Sequence, residues 1–398
     1  MIENIITTEA KQKSLSNGLI LLMAVACGVA VANLYYNQPL LADIGRTFHA
    51  TAQQTGIISM CTQMGYALGM FLFVPLGDMH ERRRIILILL VAVTLSLIAV
   101  ATAQNILWMD LASLAVGVTT VVPQMLIPLA AHMAAPEERG KVIGKVMSGL
   151  LIGVLLARTV AGFIGGSFGW RSMYWVAAFL MLALAVLLRM LLPESRPEAK
   201  LTYQQLLSSI GHLIVEQRTL REASIIGAMS FGAFSVFWTV LAFFIEVPPY
   251  HYGSQIAGLF GLIGVVGAAT APIAGRFADR FSAKMVVGIT IAITLLSFIT
   301  FWLFGYHLWG LVLGVILLDL GVQGAQISNQ ARIYSLVPEA RNRLNTVYMV
   351  SYFIGGSIGS SLGSYAWSQW QWPGVCAVGI LMIIVGLVAW SIPHKNHG

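Results

Sequence analysis

Apolar residues along this chain come in long runs, and polar residues come in the short breaks between them. Twelve runs of 20–26 residues stand out, at 17–39, 52–76, 84–103, 107–132, 142–165, 171–192, 223–246, 254–275, 284–305, 308–332, 343–366 and 372–392. A helix needs about 20 apolar residues to cross a bilayer core, so each run predicts one crossing. The longest break runs from Pro193 to Glu222. There Leu201, Leu206, Leu207, Ile210, Leu213 and Ile214 recur at helical spacing among polar residues, which predicts an amphipathic surface helix. The expected organisation is a six-helix bundle over 1–192, a linker over 193–222 and a second six-helix bundle over 223–398.

Composition supports an integral membrane protein. Of the 398 residues 58% are hydrophobic and 10% are charged, whereas a soluble domain carries about 25% charge. A soluble enzyme, a disordered scaffold and a secreted disulfide framework are excluded on that ground. The net charge of +7 does not indicate nucleic-acid binding, because the basic residues follow the topology. All of the 23 Lys and Arg residues except Arg46, Arg158 and Arg171 cluster at or beside alternate breaks or in the two tails. Basic residues concentrate on the cytoplasmic side, so this pattern places both termini in the cytoplasm. The first run has no small-residue cleavage site and reads as a retained helix.

Candidate catalytic chemistry is sparse. Cys27, Cys61 and Cys376 are far apart and lack metal-ligand spacing; the eight histidines form no converging set, and His394 and His397 sit in the tail. No Walker loop is present, so ATP is not the direct energy source. A polytopic membrane enzyme or a sensor is the reading from a different class.

The two halves repeat each other. Asp78 and Asp279 are 201 residues apart, while Gln124 and Gln326, Pro136-Glu137-Glu138-Arg139 and Pro338-Glu339-Ala340-Arg341, and Trp170 and Trp372 are each 202 apart. Matches at one period over half the chain indicate duplication. Two parallel six-helix repeats about an axis along the membrane normal form the architecture of alternating-access carriers, with the substrate between the halves.

Certain segments also resemble a known family. Gly275-Arg276-Phe277-Ala278-Asp279-Arg280, with Lys284 following, is similar to a loop signature of the major facilitator superfamily. The first-half copy, Val74 to Arg83, keeps the acid and the basic pair but has Val74 and Glu81 where the signature has glycine. Asn33-Leu34-Tyr35-Tyr36-Asn37-Gln38-Pro39-Leu40-Leu41 resembles the first helix of bacterial drug and sugar efflux members. Gly149 to Gly162 resembles the fifth-helix antiporter signature, with Val154 in place of its proline. The resemblance implies a proton-driven secondary transporter whose cytoplasmic gate is built from Asp78, Arg82, Asp279 and Arg280. An acid beside arginines at a helix end can pair with a neighbouring helix N-terminus and release it when the halves rock.

Two charges lie deep within apolar runs. Arg158 is 17 residues after Lys141 and 12 before Trp170, hence about 18–26 Å from either helix end. An arginine at that depth costs ~2.5–3.5 kcal/mol on insertion scales and must face a partner or a wet cavity. Asp319 lies 11 residues beyond Leu308, roughly 16 Å down its helix. Burial there favours the neutral acid and a guanidinium nearby favours the carboxylate, opposing tendencies that suit proton coupling.

Gln323, Gln326 and Asn329 continue a polar stripe from Asp319, which makes the tenth run cavity-lining. Asn33, Tyr36 and Asn37 recur on one face of the first run, and Gln124 lies between Pro123 and Pro128 in the fourth. Trp238 shares a face with Phe231, Phe234 and Glu246, and Tyr348 and Tyr352 pair in the eleventh run. Glu246 and Asp110, near helix ends, read as ordinary interfacial acids. Aromatic faces mixed with neutral amides suit a small amphipathic or sugar-like solute. The expected protein is a monomeric, multi-pass carrier in a bacterial inner membrane that uses protons and no cofactor. Proton-coupled uptake or uniport of a polar metabolite is the alternative.

Overall fold

The computed structural model describes residues 16–135, 138–194, 203–269, 282–337 and 340–392, and regular structure among them is helical. Nine of these helices are long and apolar enough to cross a membrane. One of the nine, Arg341–Ser391, has 51 residues and is broken at Gln371, so it supplies two crossings. Asn17–Ala32 and Ser254–Ala269, shorter and apolar, bring the spans among the described residues to twelve. The fold class is thus as the hydropathy pattern predicts: all-α, integral to the membrane, twelve spans in two repeats.

Local chemistry explains where spans start and bend. Ser16 caps the first by accepting from the Leu19 amide, and Thr51 and Gln54 close a reciprocal capping box at the second. The first span does not end at residue 39 as its hydropathy suggests. It tightens into i→i−3 turns over Asn33–Asn37, passes through a short 3-10 turn, Gln38–Leu40, where Pro39 lacks a donor, and resumes as Leu41–Phe48. The fourth is similarly broken into Ile106–Thr119 and Val122–Met133 just before Pro123. The seventh, Arg218–Glu246, begins five residues earlier than its hydropathy run, so Glu222 belongs to a span. Within the stretch read as the linker lies a helix, Tyr203–Glu216.

The repeat is visible in a turn. Gly169 joins the fifth span, Arg139–Phe168, to the sixth, Trp170–Leu191, with φ +84°, a conformation open to glycine. At the same position of the second half stands Gln371, with φ +53° and ψ −150°, a region that strains any residue with a Cβ.

Residues 17 and 392 lie on one face of the bundle, here the terminal face; the opposite one is the far face. The halves are joined toward the far face by two seams, second span on eleventh and fifth on eighth. In the first seam Gln63 Nε2 donates to Ser360 Oγ at 3.0 Å and Ser357 Oγ donates to the Met60 carbonyl at 3.1 Å. In the other, Thr159 Oγ1 donates to the Gly258 carbonyl at 2.9 Å. A Cβ on Gly162 would stand 2.8 Å from the Gly258 Cα, so bare backbone is what permits this approach. Toward the terminal face the fifth span loses such cover. From Arg139 to Leu156 only Val142 and Val146 are buried, whereas Ala157, Arg158, Ala161, Gly162 and Gly165 are buried beyond. Apolar residues exposed on the outside of the bundle, such as Phe163, Phe179, Leu182 and Val388, are a lipid-facing surface.

Candidate functional site

Arg158 sits on the fifth span where the exposed half of that helix gives way to the seam. Its side chain is buried, with 2% exposure. Nε donates to Gln38 Oε1 at 2.6 Å. The guanidinium carbon stands 4.0 Å from the Trp238 ring centre, 4.8 Å from Tyr35 and 5.3 Å from Phe234. Ring faces stabilise a desolvated cation without neutralising it. Nη2 has no hydrogen-bond partner, and Arg158 forms no ion pair among the described residues.

Asp319, on the tenth span Leu308–Tyr334, is 3% exposed and its Oδ2 also lacks a partner. The eighth span packs against both charges. Gly261 lies against the Arg158 side chain, where a Cβ would come within 2.9 Å of the Arg158 Cβ; a Cβ on Gly264 would be 3.3 Å from Asp319 Oδ2. A cation from one half and an acid from the other therefore rest on one bare helix face, a turn apart, each with an unsatisfied polar atom. Such atoms are costly when buried.

Around this centre the sequence-expected residues separate into groups. Trp238 is at the centre itself, with its own Nε1 unpartnered. Gln124 Nε2 donates to the Tyr66 hydroxyl at 3.1 Å, and the Tyr352 hydroxyl donates to Gln326 Oε1 at 3.3 Å. Rings connect these glutamine–tyrosine pairs: Tyr66 lies 4.5 Å from Phe353, and Tyr352 stacks 4.1 Å from Phe231. Phe234 continues the series to Trp238. Gln323 is half-buried on the tenth span.

Other residues are held elsewhere. Asn33 Nδ2 donates to the Met181 sulfur at 3.3 Å, and Asn37 donates to Thr62 Oγ1 at 3.0 Å and accepts from Ser59. Both therefore tie the tight-turn part of the first span to the sixth and second spans of its own half; Tyr36 is buried between them in sequence. Asn329 accepts from Arg332 Nη1 at 3.1 Å, next to a buried Arg332–Glu222 ion pair of 2.9 Å, with Tyr348 packed alongside. Of the gate residues, Arg82 Nε donates to the Gly77 carbonyl at 3.0 Å, and Asp78 lies in the short helix Leu76–Met79. Asp279 and Arg280 lie outside the described residues.

Several residues at the site had no separate signal in the sequence. Gln38 and Tyr35 sit in a string read for its asparagines, and their link to Arg158 spans more than a hundred residues. Tyr66 and Phe353 look like ordinary apolar positions. Glu222 is hidden in the polar stretch that hydropathy assigns to the linker.

Comparison with known proteins fits this geometry. The model of the Major Facilitator Superfamily matches residues 22–270 and 223–398. The putative uncharacterized transporter YgaY of Escherichia coli K12 is 43% identical over 94% of this chain and 95% of its own length. The probable transporter SCO4007 of Streptomyces coelicolor is 33% identical over 93% of this chain and 86% of its own. Among solved structures, a bacterial homolog of the human lysosomal transporter Spinster, inward-facing and occupied, superposes with a TM-score of 0.74 at 13% identity, covering 94% of this chain and 95% of that one. This chain is a multi-pass membrane transporter and belongs to the Major Facilitator Superfamily.

Proposed function

We propose that the protein is a proton-coupled exporter of a small amphipathic or sugar-like solute, working by alternating access in a bacterial inner membrane with both termini in the cytoplasm. The observation that carries this reading is the charge arrangement at the centre: Arg158 and Asp319, in opposite halves, both buried, each with an unpartnered polar atom, and packed a turn apart on the eighth span. Rocking of the halves changes the surroundings of the pair. In the outward-facing state Asp319 takes a proton from outside, and in the inward-facing state it gives the proton up while Arg158 or the solute stabilises the carboxylate. The gradient itself supplies the energy and no cofactor is required. The solute is contacted by the glutamine–tyrosine pairs and the ring series, which offer amide edges beside apolar faces. Asp78 and Arg82, with Asp279 and Arg280, hold the cytoplasmic side closed in the outward-facing state, and the protein acts as a monomer.

Flux into everted vesicles under an imposed pH gradient tests the coupling. Asp319→Asn is expected to abolish uphill accumulation while retaining substrate exchange. Full accumulation by that variant would remove this carboxylate from the mechanism, and gradient-independent transport by wild type would favour uniport. Orientation is tested by single cysteines at Asn105 and Ser195, expected to label only from outside and only from inside, respectively.

A further inference from the structure

Arg46 was set apart in the sequence as a basic residue outside the inner clusters, and its partners give it a task. It sits in Leu41–Phe48, the resumed part of the first span, at the far face. One guanidinium nitrogen, Nη2, contacts Asp43 Oδ1 on the preceding turn, and the other, Nη1, contacts Glu246 Oε1. Glu246 is the last residue of the seventh span, so the second contact crosses from one half to the other. Arg46 and Asp43 also line a cleft of about 640 Å³, walled by Gly165, Trp170 and Ser254 from the ends of the fifth, sixth and eighth spans. The cleft therefore lies where the halves meet.

We propose that Arg46 is the latch of the far-face gate, with Glu246 as its releasable partner and Asp43 as its permanent one. Three features support this division. Asp43 is three residues away on the same helix and moves with Arg46, whereas Glu246 moves with the other half. The bridge is solvent-exposed, with side-chain exposures of 57% for Arg46 and 34% for Glu246; exposed ion pairs are weak, as a contact broken every cycle must be. After release Arg46 remains neutralised by Asp43, so opening leaves a single solvated carboxylate and no stranded cation. Next to the latch the seams are tight: Gly56 packs on Ser364, and Gln255 Nε2 donates to Ser167 Oγ at 3.2 Å. The latch adds a charge check to surfaces otherwise joined by small residues.

The inference rests on alternating access but not on what is carried, and its test uses neither solute nor pH gradient. Ser364 is 1% exposed in the second–eleventh seam. A cysteine there should react with a membrane-impermeant maleimide from outside only when the far face parts, measured in whole cells against the parent bearing only the native cysteines. Glu246→Gln and Arg46→Gln should each raise the rate about three- to fivefold, the scale of one exposed pair, and the double variant should be no faster than either. Asp43→Asn should leave the rate at or below that of wild type, because it removes only the competing partner. Glu246→Asp, which keeps the charge, should stay slow. Wild-type labelling in Glu246→Gln, multiplied rates in the double variant, or acceleration by Asp43→Asn equal to that by Glu246→Gln would each overturn the latch. Loss of proton coupling in Asp319→Asn would not bear on it.

Discussion

The two halves descend from one plan, yet they carry buried charge in opposite ways. At the repeat of 202, Arg158 of the first half corresponds to Ser360 of the second, Asp319 to Gly117, and Arg332 to Ala130. Each charge thus stands where the other half has a small residue. The second half holds a complete ion pair, Arg332 with Glu222, in which Asn329 takes a second guanidinium nitrogen. Both partners ride on the same half, so the pair need not change during rocking. Arg158 has only an amide oxygen and ring faces, and the acid it could meet is on the other half. Duplication supplied the helices; charge placed asymmetrically on them gave one half a complete ion pair and left Arg158 and Asp319 each with an unpartnered polar atom.

The comparison can be broken most directly at the complete pair. Glu222→Ala should leave a buried guanidinium without its counter-charge and cost about 3–5 kcal/mol, read as a large drop in the melting temperature of detergent-purified protein. Glu222→Leu with Arg332→Met should recover most of that loss, since a well-packed apolar pair can replace a buried ion pair. If Glu222→Ala melts like wild type, the pair does not staple the fold.

The central pair should respond in the reverse sense. Asp319→Asn should melt near wild type, because that carboxyl already lacks a partner for one oxygen, while pH-driven accumulation falls at least about tenfold, or ~1.4 kcal/mol. Strong unfolding of this variant would make the two sites alike. Trp238→Leu removes the nearest ring face from Arg158 and should cost about 0.5–2 kcal/mol of stability, with the pH dependence of transport keeping its shape. The smallest effect sharpens the contrast in the turn. Gln371→Gly should give the second half the residue found at position 169 and raise stability by about 1 kcal/mol, whereas Gly169→Gln should lower it.

What was legible in the sequence follows from these contrasts. Arg158 and Asp319 stood out because ionisable residues inside apolar runs are few, and each interrupts a strong pattern. The twelve spans were legible for the same reason. Glu222 was not, because four polar residues from Arg218 to Glu222 lower the local hydropathy and the helix continues through them regardless. The grouping of the polar residues was also hidden. Asn33 and Asn37 share an α-helical face with Tyr36, but the backbone tightens there to i→i−3 turns, so α-helical spacing no longer states which side chains share a surface. Glu246 looked like an interfacial acid because its partner, Arg46, is two hundred residues away and in the other half.

The linker helix, Tyr203–Glu216, packs on the seventh span and on the helix pair Arg341–Ser391, and is fastened by Arg221, whose Nη1 donates to the Ile214 carbonyl at 2.8 Å. Its first residue reaches across to the other half, where the Tyr203 hydroxyl donates to the Leu72 carbonyl at 3.4 Å. The helix therefore works as a pointer fixed to one half with its tip resting on the other. A fluorophore at position 203 would report the separation of the halves as a change in quenching or anisotropy, and a turnover could be followed in real time before any transported compound is known.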